Sequence, residues 1–142
     1  MLYGSPVPFE NGVMYTFPDM ESLSRFTPEG LASIRAGFRD KYLMDAAVRL
    51  MSGDTDLEKI SLMTTAGARN ELMKIKGVGP KVADCVLLFG FGKGDVFPKD
   101  VWIKRVLSEV YGEGFDETVF GRNAGIIQQW LFNYARNSGN TL

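Results

Sequence analysis

A glycine-bracketed reversal between two apolar helical stripes, Leu72 to Asp100 (LMKIKGVGPKVADCVLLFGFGKGDVFPKD), constrains this chain more than any other stretch. Leu72, Ile75 and Val78 carry an apolar rhythm into the turn, and Gly77 and Gly79 supply the backbone freedom a tight reversal requires. Pro80 can begin the next helix, because its missing N–H would have had no intrahelical partner. The spacing then predicts Val82, Val86 and Phe89 on one inward face. N–H groups at Gly77, Gly79 and the opening turn, with the positive helix end behind them, form a candidate phosphate site beside Lys81. Cys85 falls one turn below Lys81 on the same face. Taken alone, the pattern is equally served by a turn between packed helices that carries a solvent-exposed lysine.

The flanking sequence reads as short to medium helices with tight joints, an all-α fold with an irregular or extended segment at its start. Over Met1 to Phe17 there is no helical period, and Asn11-Gly12 suggests a small hairpin. Asp19 and Thr27-Pro28 are start signals for helices over Met20 to Phe26 and Pro28 to Arg35. Phe38, Tyr42, Leu43, Ala46, Ala47 and Leu50 form a core stripe closed by Gly53. A short helix is expected within Asp54 to Met63, and Thr64 or Thr65 caps the helix leading to the reversal. Gly90 to Gly94 reads as a loop without the spacing or the Ser/Thr of a nucleotide-binding loop. Val96 and Phe97 anchor the connection, and Asp100 opens a helix packed through Ile103, Val106, Leu107 and Val110. A final helix, about Arg122 to Arg136, carries Ile126, Ile127, Trp130, Leu131 and Tyr134, most of them expected in the core. No interdomain linker is visible, so residues 1–142 read as a single helical domain in which 72–100 is the central motif.

Composition narrows the chemistry. There is no histidine, which removes imidazole acid–base catalysis and the commonest zinc ligand. One cysteine cannot form an intrachain disulfide and suits a reducing, intracellular setting. No signal peptide or membrane span is legible. Net charge is only −1, but Arg69 to Arg105 holds eight basic and four acidic residues, +4, which leaves −5 elsewhere. A local field of that size can hold a few phosphates.

Lys81 and Asp100 are the basic–acidic pair that this context singles out. A lysine amine that attacks an aldehyde-like carbon, such as C1′ of a nucleotide sugar, gives an imine as the base departs. An aspartate opposite would stabilise the positive character developing on the sugar. Proton abstraction from the imine-bearing sugar then allows the 3′ phosphate to leave. Asp100 as a plain helix cap, Lys81 as a plain phosphate contact and Cys85 as a small buried hydrophobe stay open as simpler readings. Trp130, Phe132 and Tyr134 are available to stack on an extruded base.

With Lys81, Cys85 and Asp100 in place, the segment LMKIKGVGPKVADCVLLFGFGKGDVFPKDVWIKRV resembles the helix–hairpin–helix DNA glycosylases, and among them the bifunctional 8-oxoguanine DNA glycosylase/AP lyases. Gly37 to Leu43 and Leu131-Phe132 look like further landmarks. The resemblance implies Lys81 as the Schiff-base lysine and Asp100 as the essential aspartate. It implies Cys85, Gln128 and Phe132 at the base, with Phe132 stacking and Gln128 reading the Watson–Crick edge. Gly77, Gly79 and Lys81 would hold a DNA phosphate. Backbone carbonyls of Met73, Ile75 and Val78 would hold a monovalent cation, K+ or Na+, with no cofactor required. The implied partner is duplex DNA containing 8-oxoguanine or an abasic site, in the cytoplasm or nucleoid, with no membrane.

Two departures from the family pattern stand out. Trp102 occupies a position where members often have histidine. The resemblance also matches only the carboxyl-terminal part of a typical member, which points to part of a larger glycosylase and to self-association through a truncated apolar face. A non-catalytic helix–hairpin–helix DNA-binding module, or an inactive fragment that needs its amino-terminal part, is the alternative.

Overall fold

The computed structural model describes residues 4–23, 25–33, 35–112 and 114–137. The start of the expected extended segment (1–3), single positions in two expected short helices (24 and 34) and Glu113 lie outside them. Helices dominate, as the sequence predicts. The chain divides into two compact units, residues 1–59 with 75–77, and residues 60–74 with 78–142.

The first unit opens with an antiparallel hairpin, β1 (Pro6–Phe9) and β2 (Gly12–Tyr15), in the register Pro6↔Tyr15 and Phe9↔Gly12. The two-residue turn is Glu10-Asn11, one position earlier than Asn11-Gly12 suggests. Helix α1 (Met20–Leu23) is capped by Asp19, whose Oδ1 accepts from Ser22 N at 2.8 Å. Helix α2 (Pro28–Ser33) is capped by Thr27, which accepts from Gly30 N at 3.0 Å. After a 3-10 turn at Gly37–Arg39, α3 (Asp40–Ser52) ends on a left-handed Gly53. Leu23, Leu31 and Ala47 are buried. Phe38, expected in the core stripe, is instead 73% exposed and meets the ring of Tyr42 in a T-shaped arrangement.

Helix α4 (Leu57–Leu62) follows, with Ile60 buried and Leu62 exposed. In the second unit, α5 (Thr65–Leu72) is capped by Thr64, and α6 (Pro80–Phe91) begins at the predicted proline. The first residues of the expected glycine loop, Gly90 and Phe91, belong to α6, which stops at a left-handed Gly92. Asp100 caps α7 (Val101–Val106), and α8 (Ala124–Asn137) closes the described chain. Phe97, Ile103, Leu107 and Ala124 form the buried core of this unit, flanked by Phe115, Phe120, Leu131 and Phe132. Val96 and Phe97 do anchor the connection, at 0% and 6% exposure.

Two inward faces differ from the expectation. On α6 the buried residues are Ala83, Asp84 and Leu87, while Val82 and Phe89 are exposed. On α8, Ala124, Gly125, Gln128 and Ala135 are buried, whereas Ile126, Trp130 and Tyr134 are exposed, as is Val110 before them. Both helices are apolar around much of their circumference, so spacing alone does not choose the face. Close approach does: Gly125 N donates to Gly94 O at 2.8 Å, and a Cβ on Gly125 would collide with Leu88.

Candidate active site

Each approach to Lys81 is held by local chemistry. Gly77 has φ 83°, and a Cβ there would strike the ring of Tyr42. Gly77→Ala therefore combines backbone strain with a steric clash and should cost about 2–4 kcal/mol in chemical denaturation. A loss under 1 kcal/mol would mean that the ring moves aside freely.

Beside Gly77, the backbone N–H of Lys76 donates to Asp45 Oδ2 at 2.8 Å, tying α3 to the turn. That hydrogen bond, with Arg49 Nε at 3.1 Å, holds the Asp45 carboxyl below its ordinary value of 3.8, although partial burial opposes the shift. A depressed folded-state pKa stabilises fully above the unfolded value and is lost as pH falls through the folded one. Asp45→Asn should consequently flatten the stability profile below about pH 4. An unchanged acid limb in urea titrations would remove Asp45 from that role.

Gly79 is the N-cap of α6 in an extended conformation, with no side chain to cap the helix. Lys81, in the first turn of α6, is exposed and makes no ion pair among the described residues. It lines a cavity of about 470 Å³ with Arg69, Pro80, Asp84, Phe97, Lys99, Lys104 and Glu117. Two ion pairs lie among these lining residues: Arg69 Nε to Asp84 Oδ1 and Lys99 Nζ to Glu117 Oε1, each at 2.6 Å. Burying Asp84 requires its partner, since an unpaired carboxylate at this depth would be strongly penalised.

The remaining candidates stand apart from this cavity lining. Asp100 is half-buried, and its Oδ1 accepts from Ile103 N at 2.9 Å, the N-cap geometry predicted for it. Cys85 is half-buried and free. Gln128 is buried, its Nε2 donating to Pro98 O at 3.0 Å and its Oε1 accepting from Gln129 Nε2 at 2.5 Å. An amide with four hydrogen-bonding positions keeps two in reserve there. Phe132 is half-buried against the Phe97 core, and Trp102 is 38% exposed on the first turn of α7. Of the three carbonyls proposed for a cation, those of Met73 and Val78 belong to the second unit and that of Ile75 to the first. Among the described residues no group of three or more His, Cys, Asp or Glu side chains could hold a metal ion. None of their helices is long and apolar enough to cross a membrane.

The sequence did not mark Arg69, Asp84, Lys99, Lys104 and Glu117 as neighbours of Lys81. The one available signal was Asp84, an acid three residues after Lys81 on an otherwise apolar helix, which had to find a cation.

No protein-family model matches the chain. A probable N-glycosylase/DNA lyase of Methanothermobacter thermautotrophicus is 33% identical over 97% of this chain and 53% of its own length. An N-glycosylase/DNA lyase of Saccharomyces cerevisiae is 33% identical over 77% of the chain and 32% of its own. Among solved structures, MBOgg1 in complex with a low-affinity DNA ligand superposes with a TM-score of 0.88 at 42% identity, covering 97% of this chain and 51% of that one. The Clostridium acetobutylicum 8-oxoguanine glycosylase/lyase, bound to double-stranded DNA with cytosine opposite 8-oxoG, gives 0.88 at 34%, covering 96% and 50%. The chain thus spans about half the length of the Methanothermobacter relative and of these two structures.

Proposed function

For a chain homologous over most of its own length to the 8-oxoguanine DNA glycosylase/AP lyases of the helix–hairpin–helix superfamily, we propose base-excision repair through a lysine Schiff base, with 8-oxoguanine in duplex DNA as substrate. The observation that carries this reading is Lys81 itself, an exposed amine on the rim of a cavity and engaged in no ion pair among the described residues. Its amine attacks C1′ as the C1′–N9 bond breaks; the electron pair leaves with the base, which takes up the proton the amine gives up. Ring opening gives the C1′ imine. Loss of a C2′ proton then expels the 3′ phosphate and cuts the strand. Asp100 at the head of α7 stabilises the cationic sugar, and its hydrogen bond to Ile103 N orients the carboxylate.

Cys85, one turn after Lys81 on α6, packs near the extruded base. Phe132 stacks on the extruded base, and Gln128, anchored on Pro98 O, reads its edge with its remaining hydrogen-bonding positions. Gly77 and Gly79 offer backbone N–H groups to a phosphate. A hard monovalent cation suits the neutral carbonyls of Met73, Ile75 and Val78 and would reinforce that phosphate contact. A DNA substrate places the protein inside the cell, in cytoplasm or nucleoid.

One observation favours a second reading, a DNA-binding module without chemistry: the Asp100 carboxylate is engaged in capping and does not line the cavity with Lys81. Borohydride trapping on duplexes containing 8-oxoguanine or an abasic site separates the two. A covalent adduct is expected; salt-sensitive binding with neither adduct nor strand cleavage would establish the module instead.

A further inference from the structure

We propose that the cavity beside Lys81 is a second phosphate seat, in which Lys104, together with Lys81, holds a backbone phosphate of the bound DNA. This rests on the reading of the chain as a DNA-repair protein and adds a residue to it. Four cations line the cavity, Arg69, Lys81, Lys99 and Lys104, against two carboxylates, Asp84 and Glu117. Both carboxylates are already engaged, Asp84 by Arg69 and Glu117 by Lys99. Lys81 and Lys104 make no ion pair among the described residues, so the cavity retains two positive charges without compensation.

Four different stretches bring these cations together: α5 with Arg69, the first turn of α6 with Lys81, the connection with Lys99, and α7 with Lys104. Such convergence of like charge is unfavourable unless an anion relieves it. The space of about 470 Å³ falls within the range of about 300–1,000 Å³ usual for ligand sites. Pro80 also lines the cavity and has no N–H to offer, so the ammonium groups must supply the donors. An anion held by two mobile ammonium groups, with no bidentate arginine free, fits a phosphate better than a carboxylate. Lys104 shares α7 with Asp100, one turn away, so a phosphate seated on it would fix the sugar–phosphate chain close to the proposed chemistry.

The test is the salt dependence of affinity for a duplex carrying a tetrahydrofuran abasic analogue, which cannot be cleaved, measured for the native chain, Lys104→Gln and Lys104→Arg. Each phosphate neutralised contributes a slope of about −0.9 in log K against log salt. Lys104→Gln should make the slope shallower by about that amount and weaken binding roughly three- to tenfold at moderate salt, while Lys104→Arg keeps the native slope. An unchanged slope in Lys104→Gln overturns the proposal. So does competition by inorganic phosphate at Lys104 with no change in the duplex slope, which would identify a free-phosphate site. Trapping on the same proteins separates the two readings: a shallower slope without any adduct from the native chain keeps the phosphate seat and removes the glycosylase. No duplex binding at all removes both.

Discussion

Lys81→Gln should abolish the borohydride-trapped adduct and slow strand scission by roughly 10³-fold or more, the scale on which a covalent nucleophile is missed. Glutamine keeps most of the length of the side chain and removes the amine. Because Lys81 is exposed and makes no ion pair among the described residues, the substitution should leave unfolding within about 0.5 kcal/mol of native. Loss of activity can therefore be assigned to chemistry. Duplex affinity should fall only by the contribution of one phosphate contact. The decisive measurement is a single-turnover time course on an abasic duplex with and without borohydride. An adduct at native yield would mean that another amine is the nucleophile, and the assignment of Lys81 would fail.

Arg69→Met should destabilise the fold by about 3 kcal/mol, or a fall in Tm of roughly 6–12 °C. The reason is asymmetric. Arg69 is one-third exposed, but its partner Asp84 is only 12% exposed at the side chain and sits 2.6 Å away. Removing the guanidinium leaves that carboxylate without compensation in a place water barely reaches. Asp84→Asn together with Arg69→Met should recover much of the loss, because the stranded charge is gone. A double-mutant cycle by urea unfolding measures the coupling directly. If Arg69→Met unfolds within 1 kcal/mol of native, the pair is no more than a surface contact. The same pair joins α5 to α6 at the turn that carries Lys81, so the variant should also lose activity at temperatures where it remains folded.

Helix punctuation was legible because it is local. Asp19, Thr27, Thr64 and Asp100 each cap the helix that follows, as their side chains reach a backbone N–H only three residues on. Pro80 starts α6 and Gly53 ends α3 for equally short-range reasons. The reversal at Gly77 was legible for the same cause, and its positive φ is one that a side chain would oppose. The face of α6 was not. Val82, Val86 and Phe89 satisfy a helical period as well as Ala83 and Leu87 do, and the choice fell to the face carrying Asp84, which needed Arg69 from another helix.

On α8 the glycine at 125 allowed a backbone-to-backbone hydrogen bond that no pattern of apolar residues announces. That approach turned Gln128 inward and left Trp130 and Tyr134 outside. The residues that share a cavity with Lys81 come from positions 69 to 117, so their association was equally invisible to spacing. By itself the sequence determined where helices begin, end and reverse, and which amine and carboxylate head two of them, since those choices depend on bonds a few residues long. Only the tertiary structure decided which faces are covered and which charges meet, since those depend on surfaces that the chain brings together from a distance.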